Sequence, residues 1–321
     1  MSETTSELTV HSIKEDGDKV ILLDLRGSDN RELPAFTAGA HIDIHTTDGL
    51  VRQYSLCNDS RERNRYLVAV LLAEPSRGGS AWIHNSLHPC DKVTIGGPRN
   101  HFALNHQAPH SVLIAGGIGI TPILAMALEL EASGKSWEIH FSARTRADAA
   151  LLNTLQDFAA TAAHGSVHYY FTREADGQRL SFAELFSQAD SDSHFYCCGS
   201  NAFLDDYIAA GKSFPAEQVH YERFSSDQEA ASDNEFTLVL ARSGRELPVH
   251  VGETILDVLK ANDVPVKYMC SEGVCGSCEV RILEGQADHR DSVLSDTEKV
   301  ANQSMMVCCS GALSKRLVLD L

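Results

Sequence analysis

Short runs of apolar residues, separated by turns rich in Gly, Pro and Asp, occupy the first hundred residues. They lie at positions 20–26, 40–45, 65–72 and 91–96. Apolar and polar residues alternate in 40–45, as in a half-buried strand, and repeated strands without long helical patterns favour an antiparallel barrel. The pattern therefore predicts an all-β domain over residues 1–104.

The pattern changes from about residue 109. Apolar strands now alternate with helical stretches, for example SVLIAG, TPILAMALELEAS, WEIHFS and, further on, HFYCCG and AFLDDYIAAG. Strands spaced by helices indicate βαβ units and a parallel sheet. We expect an α/β nucleotide-binding domain over residues 105–224.

A polar segment separates this region from the rest of the chain. Residues 225–235, SSDQEAASDNE, carry four acids and no base, which is typical of a solvated linker. After it, the sequence predicts a hairpin turning at Ser243 and Gly244, a helix in ETILDVLKAND and a strand in CEVRILEG. These elements indicate a small α+β domain over residues 236–321.

Charge and cysteine usage narrow the possible functions. Twenty-seven basic and forty-four acidic residues give a net charge of −17, which argues against nucleic acid as a partner. The opening MSETTSELTV lacks an export signal and no long apolar run follows, so we expect a cytoplasmic protein without a membrane span. In that setting the nine cysteines are expected as free thiols, metal ligands or catalytic groups.

Four cysteines near the C-terminus have a specific spacing. Four residues separate Cys270 from Cys275, two separate Cys275 from Cys278, and Cys308 follows at a distance. This is the spacing of a plant-type [2Fe–2S] site, whereas zinc sites prefer paired two- to four-residue spacings. A zinc ribbon or buried thiols are the alternatives. Cys309 adjoins a predicted ligand and is expected to be packed or exposed.

Two short motifs in the first domain are compatible with a flavin. Arg52 can pair with a phosphate, Tyr54 can cover an aromatic ring and Ser55 can bond a ring nitrogen, although an ordinary solvated strand is the alternative. The turn containing Gly79 and Ser80 opens a helix whose free amides can hold an anion. The alternative there is a helix capped by Ser80 without a ligand.

Two motifs in the second domain suggest a dinucleotide. AGGIGITP, with Gly116 and Gly117, closes an apolar strand and opens a helix on which a diphosphate could rest. It lacks the third spaced glycine of the dinucleotide fingerprint, so a close strand-to-helix packing turn is the alternative. Cys198 and Gly199 end a later strand, and buried cysteine is usually part of the core.

The order of these motifs resembles a known family. RQYS, RGGS, GPRNHFAL, AGGIGITP, YCCG, HYERF and the cysteine cluster follow one another as in the phthalate dioxygenase reductase and vanillate demethylase reductase family. The resemblance spans almost the whole chain. It implies an FMN-binding barrel, an NAD-binding domain and a C-terminal ferredoxin domain.

The resemblance also implies site residues. Those expected to bind FMN are Arg52, Tyr54, Ser55, Val68, Ala69, Val70, Gly79, Ser80, Thr121 and Phe224. Those expected to bind NAD are Gly116, Gly117, Thr121, Arg144, Cys198 and Gly199. Ser55 and Cys198 are expected at the reacting atoms. Arg144 and Arg146 could also receive a 2′-phosphate, so NADPH stays open beside NADH.

The function implied by the resemblance is electron transfer. A hydride carries two electrons and a cluster accepts one, and a flavin can divide them without a side chain acting as general acid or base. We expect a monomeric reductase that passes electrons from NADH through FMN and [2Fe–2S] to a terminal Rieske-type oxygenase. The alternatives are a reductase for a different ferredoxin or hydroxylase, and a redox-sensing iron–sulfur flavoprotein.

Overall fold

The computed structural model describes residues 5–28, 31–76, 78–175, 177–225 and 230–321. Arg77 of the predicted phosphate turn and residues 226–229 of the predicted linker lie outside the described residues. The chain forms two compact units, one up to Glu222 and one from Arg223 onwards.

The first unit begins with an antiparallel barrel. Its strands are β1 (Thr5–Glu15), β2 (Val20–Arg26), β3 (Ala40–His45), β4 (Val51–Ser55), β5 (Tyr66–Leu71) and β6 (Lys92–Asn100), and helix α1 is Gly79–Ser86. The strands pair antiparallel in the order β4-β3-β6-β1-β2-β5. A bridge between Leu56 and Val68 joins the end of β4 to β5, and this bridge closes the sheet on itself.

The sequence pattern did not predict β1. Only Leu8 and Val10 are buried along its central part, and the pairing with β2 shifts between Val10 and Ser12. A bulge of this kind interrupts the alternation on which the strand prediction depends. The strand was therefore invisible to a search for period-two hydrophobicity.

A parallel sheet completes the first unit. Its elements are β7 (His110–Gly116), α2 (Ile120–Ala132), β8 (Ser136–Ala143), α3 (Leu152–Thr161), β9 (Gly165–Phe171), α4 (Phe182–Gln188), β10 (His194–Gly199), α5 (Asn201–Gly211) and β11 (Val219–Arg223). The strand order is β11-β10-β7-β8-β9, and β10, β7, β8 and β9 pair in parallel. The predicted parallel sheet is confirmed.

Alternation along β7 gives this sheet two apolar faces. Leu113 and Ala115 pack with residues of α2 and α3, whereas Val112 and Ile114 pack with residues of α4 and α5. The cluster on the α2 face also includes Val20 and Ala69 of the barrel. The barrel and the parallel sheet therefore share a core.

The second unit is a small α+β fold. Its elements are β12 (Phe236–Leu240), β13 (Arg245–Val249), α6 (Ile255–Ala261), β14 (Glu279–Glu284), β15 (Ala287–Asp288), α7 (Asp296–Ala301), β16 (Ser304–Met306), β17 (Gly311–Ala312) and β18 (Arg316–Leu319). The main sheet has the order β13-β12-β18-β14-β16, with β12 parallel to β18. The predicted hairpin joins β12 to β13, and Gly244 in its turn has a φ of 68°.

Both helices of the second unit begin with a capping box. Thr254 accepts from the Asp257 amide at the start of α6, and Ser295 accepts from the Glu298 amide at the start of α7. Each cap satisfies amides that lack an intrahelical partner. Among the described residues of the whole chain, no helix has the length and apolar character to cross a bilayer.

Candidate cofactor-binding sites

The four predicted cluster cysteines converge in the second unit. Cys270, Cys275, Cys278 and Cys308 are all at least 94% buried, since their exposures are 6%, 5%, 2% and 3%. Cys270 lies close enough to Cys275 and Cys308, and Cys278 close enough to Cys308, for the thiols to shift one another's pKa. The thiols of Cys275 and Cys308 lower the pKa of Cys270 in this arrangement. Four thiols around one centre are the donor set of a [2Fe–2S] cluster.

The loop between these cysteines depends on residues with positive φ. Gly273 and Gly276 have φ values of 70° and 73°, and Ser271 has 56°. This backbone turns amides toward sulfur, and the Glu272 amide donates to Cys270 Sγ at 3.3 Å. Amides directed in this way stabilise negative charge on thiolates. The loop therefore fits an anionic iron–sulfur group.

Cys309 lies behind this loop. It is buried, and a Cβ added at Gly273 would stand 2.4 Å from its Sγ atom. Cys308 and Cys309 occupy a turn after β16 and not a strand, so simple strand alternation does not separate their roles. The close approach to Gly273 assigns Cys309 a packing role.

Asp291 supports the cluster loop from another segment. Its side chain is buried, and Oδ2 accepts from the Val293 and Leu294 amides at 3.1 and 2.8 Å. The adjacent Ser292 amide donates to the Gly273 carbonyl at 2.9 Å. Sequence reasoning missed Asp291, although an acid in GQADHRD near a glycine loop was the available signal.

Arg52 and Gly79 meet in the barrel. A Cβ added at Gly79 would stand 2.3 Å from Arg52 Cγ, so only glycine leaves room for the arginine there. The guanidinium-bearing side chain thus lies along the start of α1. A cation beside a helix N-terminus is suited to a phosphate group.

The start of α1 has no side-chain cap. Gly78, with a φ of 94°, occupies the N-cap position, and among the described residues no side chain caps the helix start with a hydrogen bond. Ser80 lies inside the helix, where its Oγ accepts from the Ala73 amide at 3.2 Å. The alternative of a helix capped by Ser80 is therefore wrong, and the open amides fit an anion.

Strand β4 presents its predicted flavin residues on two faces. Arg52 pairs with Ile44 and Tyr54 with Ile42, whereas Ser55 pairs with His41. Neighbouring residues on a strand alternate in direction, so Arg52 and Tyr54 share one face and Ser55 points to the other. Burial raises the pKa of Tyr54 to about 12, which keeps its hydroxyl protonated.

The side chains of the β5 residues predicted to contact the flavin are buried in the protein core. Val68 and Val70 belong to the barrel core, and Ala69 belongs to the core shared with α2. All three are at most 4% exposed. Any contact of this segment with a flavin would therefore come from the main chain.

The glycine turn after β7 packs against the end of β10. A Cβ at Gly119 would stand 2.2 Å from the Cys198 carbonyl oxygen, and one at Gly199 would stand 3.2 Å from Gly116 Cα. Gly117 adopts a φ of 56°, and Thr121 is buried with its Oγ1 donating to the Ile118 carbonyl at 3.1 Å. The two motifs predicted to bind NAD thus form one locality.

Glu222 joins Ser55 and Cys198. Ser55 Oγ donates to Glu222 Oε2 at 3.4 Å, and the carboxyl group is close enough to Cys198 to contribute to the raised pKa of that thiol. Burial raises the pKa of Glu222 to about 8, and the bond from Ser55 opposes this shift. Sequence reasoning missed Glu222, although it is the acidic residue inside HYERF.

Arg144, Arg146 and Phe224 have distinct surroundings. Arg146 lies 4.5 Å above the Phe171 ring and pairs with Glu174 at 3.3 Å. Arg144 is exposed after the end of β8, and Phe224 is 38% exposed after β11. Arg146 therefore has an acidic partner, and a role for either arginine at a 2′-phosphate stays a prediction.

Family comparisons cover both units. The family described as 2Fe-2S iron-sulfur cluster binding domain matches residues 238–313, and the one described as oxidoreductase NAD-binding domain matches residues 113–208. Phenoxybenzoate dioxygenase subunit beta of Ectopseudomonas oleovorans is 45% identical over 315 residues, which cover 98% of this chain and 97% of that protein.

Two further similarities extend over the full length. Tetrachlorobenzoquinone reductase of Sphingobium chlorophenolicum is 44% identical over 320 residues, which cover 99% of this chain and 98% of that protein. The solved structure of phthalate dioxygenase reductase is 35% identical with a TM-score of 0.76, and the match covers 99% of this chain and 98% of that one.

The fold and these sites define an NAD-dependent iron–sulfur flavoprotein oxidoreductase. Its cofactors are FMN and a [2Fe–2S] cluster, and its electrons come from NADH. The chain belongs to the phthalate dioxygenase reductase and vanillate demethylase reductase family.

Replacing one cluster ligand should affect only the second unit. We expect Cys275→Ser to lose most of its iron and acid-labile sulfide, because a cluster needs four thiolates. NADH-dependent flavin reduction should persist. Iron and sulfide analysis with stopped-flow absorbance measures both, and Cys309→Ser is the matched control that should retain iron. Full iron content in Cys275→Ser would exclude Cys275 as a ligand.

Removing Arg52 tests the flavin phosphate site. A charge-assisted hydrogen bond contributes about 1.5–3 kcal/mol, so Arg52→Ala should weaken FMN binding roughly ten- to a hundredfold. Fluorescence titration of the apoprotein measures this affinity. Arg61→Ala, which removes an exposed barrel arginine paired with Asp59, should bind FMN as wild type does. Equal affinity in both variants would show that the phosphate lies elsewhere.

Proposed function

We propose that this chain is the reductase component of a two-component Rieske-type oxygenase. The observation that carries the proposal is a buried set of four converging thiols on the same chain as a flavin and nucleotide unit. FMN, when bound, takes both electrons of a hydride and releases them singly to a cluster that accepts one at a time. The protein's own residues must then bind, orient and tune these groups.

Arg52 and the open amides of α1 would hold the FMN phosphate. Two observations support this phosphate site: Arg52 packs so closely on Gly79 that a side chain there would clash, and the described residues provide no side-chain cap for α1. Tyr54, mostly buried and protonated, supplies an aromatic surface on the same face as Arg52. These residues bind and orient without exchanging protons.

The turn from Gly116 to Gly119 would carry the NADH diphosphate. Its glycines let the backbone approach closely, and the turn leads directly into α2. Cys198 at the end of β10 lies against this turn, and its raised pKa keeps the thiol neutral. A neutral, buried sulfur can line a nicotinamide site without repelling negative charge.

Glu222 would keep the same locality free of negative charge near neutral pH. With a pKa of about 8, its carboxyl group is largely protonated at pH 7. An ionised carboxylate at a partly buried position would oppose the arrival of electrons from hydride, since like charges repel strongly where water is scarce. Ser55 orients the group through its hydroxyl.

The proposed partner is a separate oxygenase, and the chain is proposed to act as a monomer in the cytoplasm. Relatives such as phenoxybenzoate dioxygenase subunit beta and vanillate O-demethylase oxidoreductase support an oxygenase acceptor. One specific similarity favours a second candidate. Tetrachlorobenzoquinone reductase is 44% identical, and this similarity supports a quinone as the alternative electron acceptor.

Anaerobic reconstitution separates the two acceptors. The chain with NADH should reduce the Rieske cluster of a purified Rieske-type oxygenase, and Cys275→Ser should abolish this transfer. Tetrachlorobenzoquinone serves as the competing acceptor in a parallel assay. Rapid quinone reduction without reduction of any oxygenase would reject the oxygenase proposal in favour of the second candidate.

The carboxyl group of Glu222 predicts a pH effect on flavin reduction. In wild type the rate with NADH should fall as pH rises through about 8, because the neutral form is lost there. Glu222→Gln stays uncharged and should show no such fall. Stopped-flow absorbance between pH 6.5 and 9.5, roughly 1.5 units on either side of this pKa, measures the rates. Glu235→Gln, an exposed site in the second unit, is the control. An identical fall in Glu222→Gln would assign the ionisation to another group.

A further inference from the structure

A group of metal-ligating side chains stands away from the cofactor sites. Glu138 and His140 of β8 and His168 of β9 bring one ligand atom each to within 4.8 Å of one another. Residues 137, 139 and 141 of β8 pack toward α2, so the group occupies the opposite face of the parallel sheet. It lies along the strands, whereas the nucleotide motifs follow the strand ends.

We propose that Glu138, His140 and His168 form a binding site for a late first-row divalent cation, Zn²⁺ in particular. Two imidazoles and one carboxylate, with a fourth position for water, are a recurring zinc donor set. Such nitrogen and oxygen donors do not suit Mg²⁺ or Ca²⁺, which take oxygen ligands. The site is independent of FMN, NADH and the cluster.

The distances are close to those that zinc requires. His140 Nε2 lies 3.4 Å from Glu138 Oε1, and His168 Nε2 lies 4.0 Å from Glu138 Oε2. Ligands at 2.0–2.2 Å in a tetrahedron stand about 3.3–3.6 Å apart, whereas the three ligand atoms here spread over as much as 4.8 Å, so His168 must move toward the other two to close the site. His168, whose side chain is 48% exposed, has the freedom to make this movement.

His140 supplies the observation that points to a ligand. Its side chain is 9% exposed, and its Nε2 atom is buried without a hydrogen-bond partner while facing Glu138. Buried polar atoms are rarely left in this condition. A cation between Nε2 and the carboxylate would satisfy both groups.

Tyr170 prepares His140 for this role. The other ring nitrogen, Nδ1, lies 3.0 Å from the Tyr170 hydroxyl, and this contact sets the orientation of the imidazole. A zinc-binding histidine usually donates its second N–H to an oxygen, which directs the lone pair of the first nitrogen at the metal. Tyr170 is therefore a positioning residue for the site.

The neighbouring His110 gives the group a reserve ligand. Its Nε2 atom lies 3.8 Å from Glu138 Oε1, and its Nδ1 atom is held by Ser136 Oγ at 2.8 Å. The three contributing strands, β7, β8 and β9, are adjacent in the sheet. Zinc would thus brace the edge of the sheet against separation of β9.

Calorimetric titration of the holoprotein with ZnCl₂ tests the proposal. A Cys90→Ser background removes an exposed thiol that could bind zinc by itself. This protein should bind about one Zn²⁺ per chain at the three-ligand site. His168→Asn should weaken binding at least tenfold and Tyr170→Phe about 10- to 100-fold.

His106→Asn is the matched control. His106 is half-exposed and lies 3.2 Å from Glu129, so it is a histidine–carboxylate pair outside the proposed three-ligand group. His106→Asn should bind zinc with the affinity of the Cys90→Ser background. Zinc should raise the Tm of these two proteins but not that of His168→Asn. NADH-dependent flavin reduction should remain in every variant, which separates this test from that of the proposed function. Absence of zinc binding, or equal affinity in His168→Asn, would overturn the site.

Discussion

The approach of the Gly119 backbone to the Cys198 carbonyl is the constraint on which the first unit's chemistry depends. A side chain at Gly119 would stand 2.2 Å from that oxygen, so any substitution must push the turn after β7 away from the end of β10. That contact sets the position of Cys198. Because β11 is the neighbour of β10 in the sheet, the same contact also influences the position of Glu222, which accepts a hydrogen bond from Ser55 of the barrel.

Control of charge follows two different physical routes in the two units. In the first, burial keeps the carboxyl group of Glu222 and the thiol of Cys198 protonated, which avoids the large cost of an unpaired buried charge. In the second, the loop around Gly273 directs the amide of Glu272 at the sulfur of Cys270, and this stabilises negative charge on the sulfur. Neutral surroundings suit the place where hydride arrives, and amide-lined surroundings suit a cluster of thiolates.

Much of the fold could be predicted because its signals are local. The strand at β3, the helix at α2 and the turn at Gly244 each depend on a few adjacent residues, and all three elements are present. The half-buried character predicted for β3 was wrong, since His41 and Asp43 are buried as well as Ile42 and Ile44. The cysteine spacing alone identified four residues that lie close together in the folded chain, although Cys308 comes from a distant segment. Strand β1 was missed because a bulge breaks its alternation.

The missing parts of the site depend on contacts between distant segments. Glu222 gains its raised pKa from burial and meets a serine 167 residues away, which no spacing rule reveals. The room that Gly79 leaves for Arg52 and the packing of Cys309 behind Gly273 are likewise tertiary facts. Each could be suspected from residue type, but only the folded chain shows which partner the residue meets.

The central claim is that one chain stores the electrons of hydride on two different acceptors. An anaerobic titration of the holoprotein with dithionite, followed by absorbance and by electron paramagnetic resonance, counts those electrons directly. A flavin that takes two and a cluster that takes one predict about three electron equivalents per chain. An uptake of about two, with no paramagnetic signal from a reduced cluster, would contradict the account.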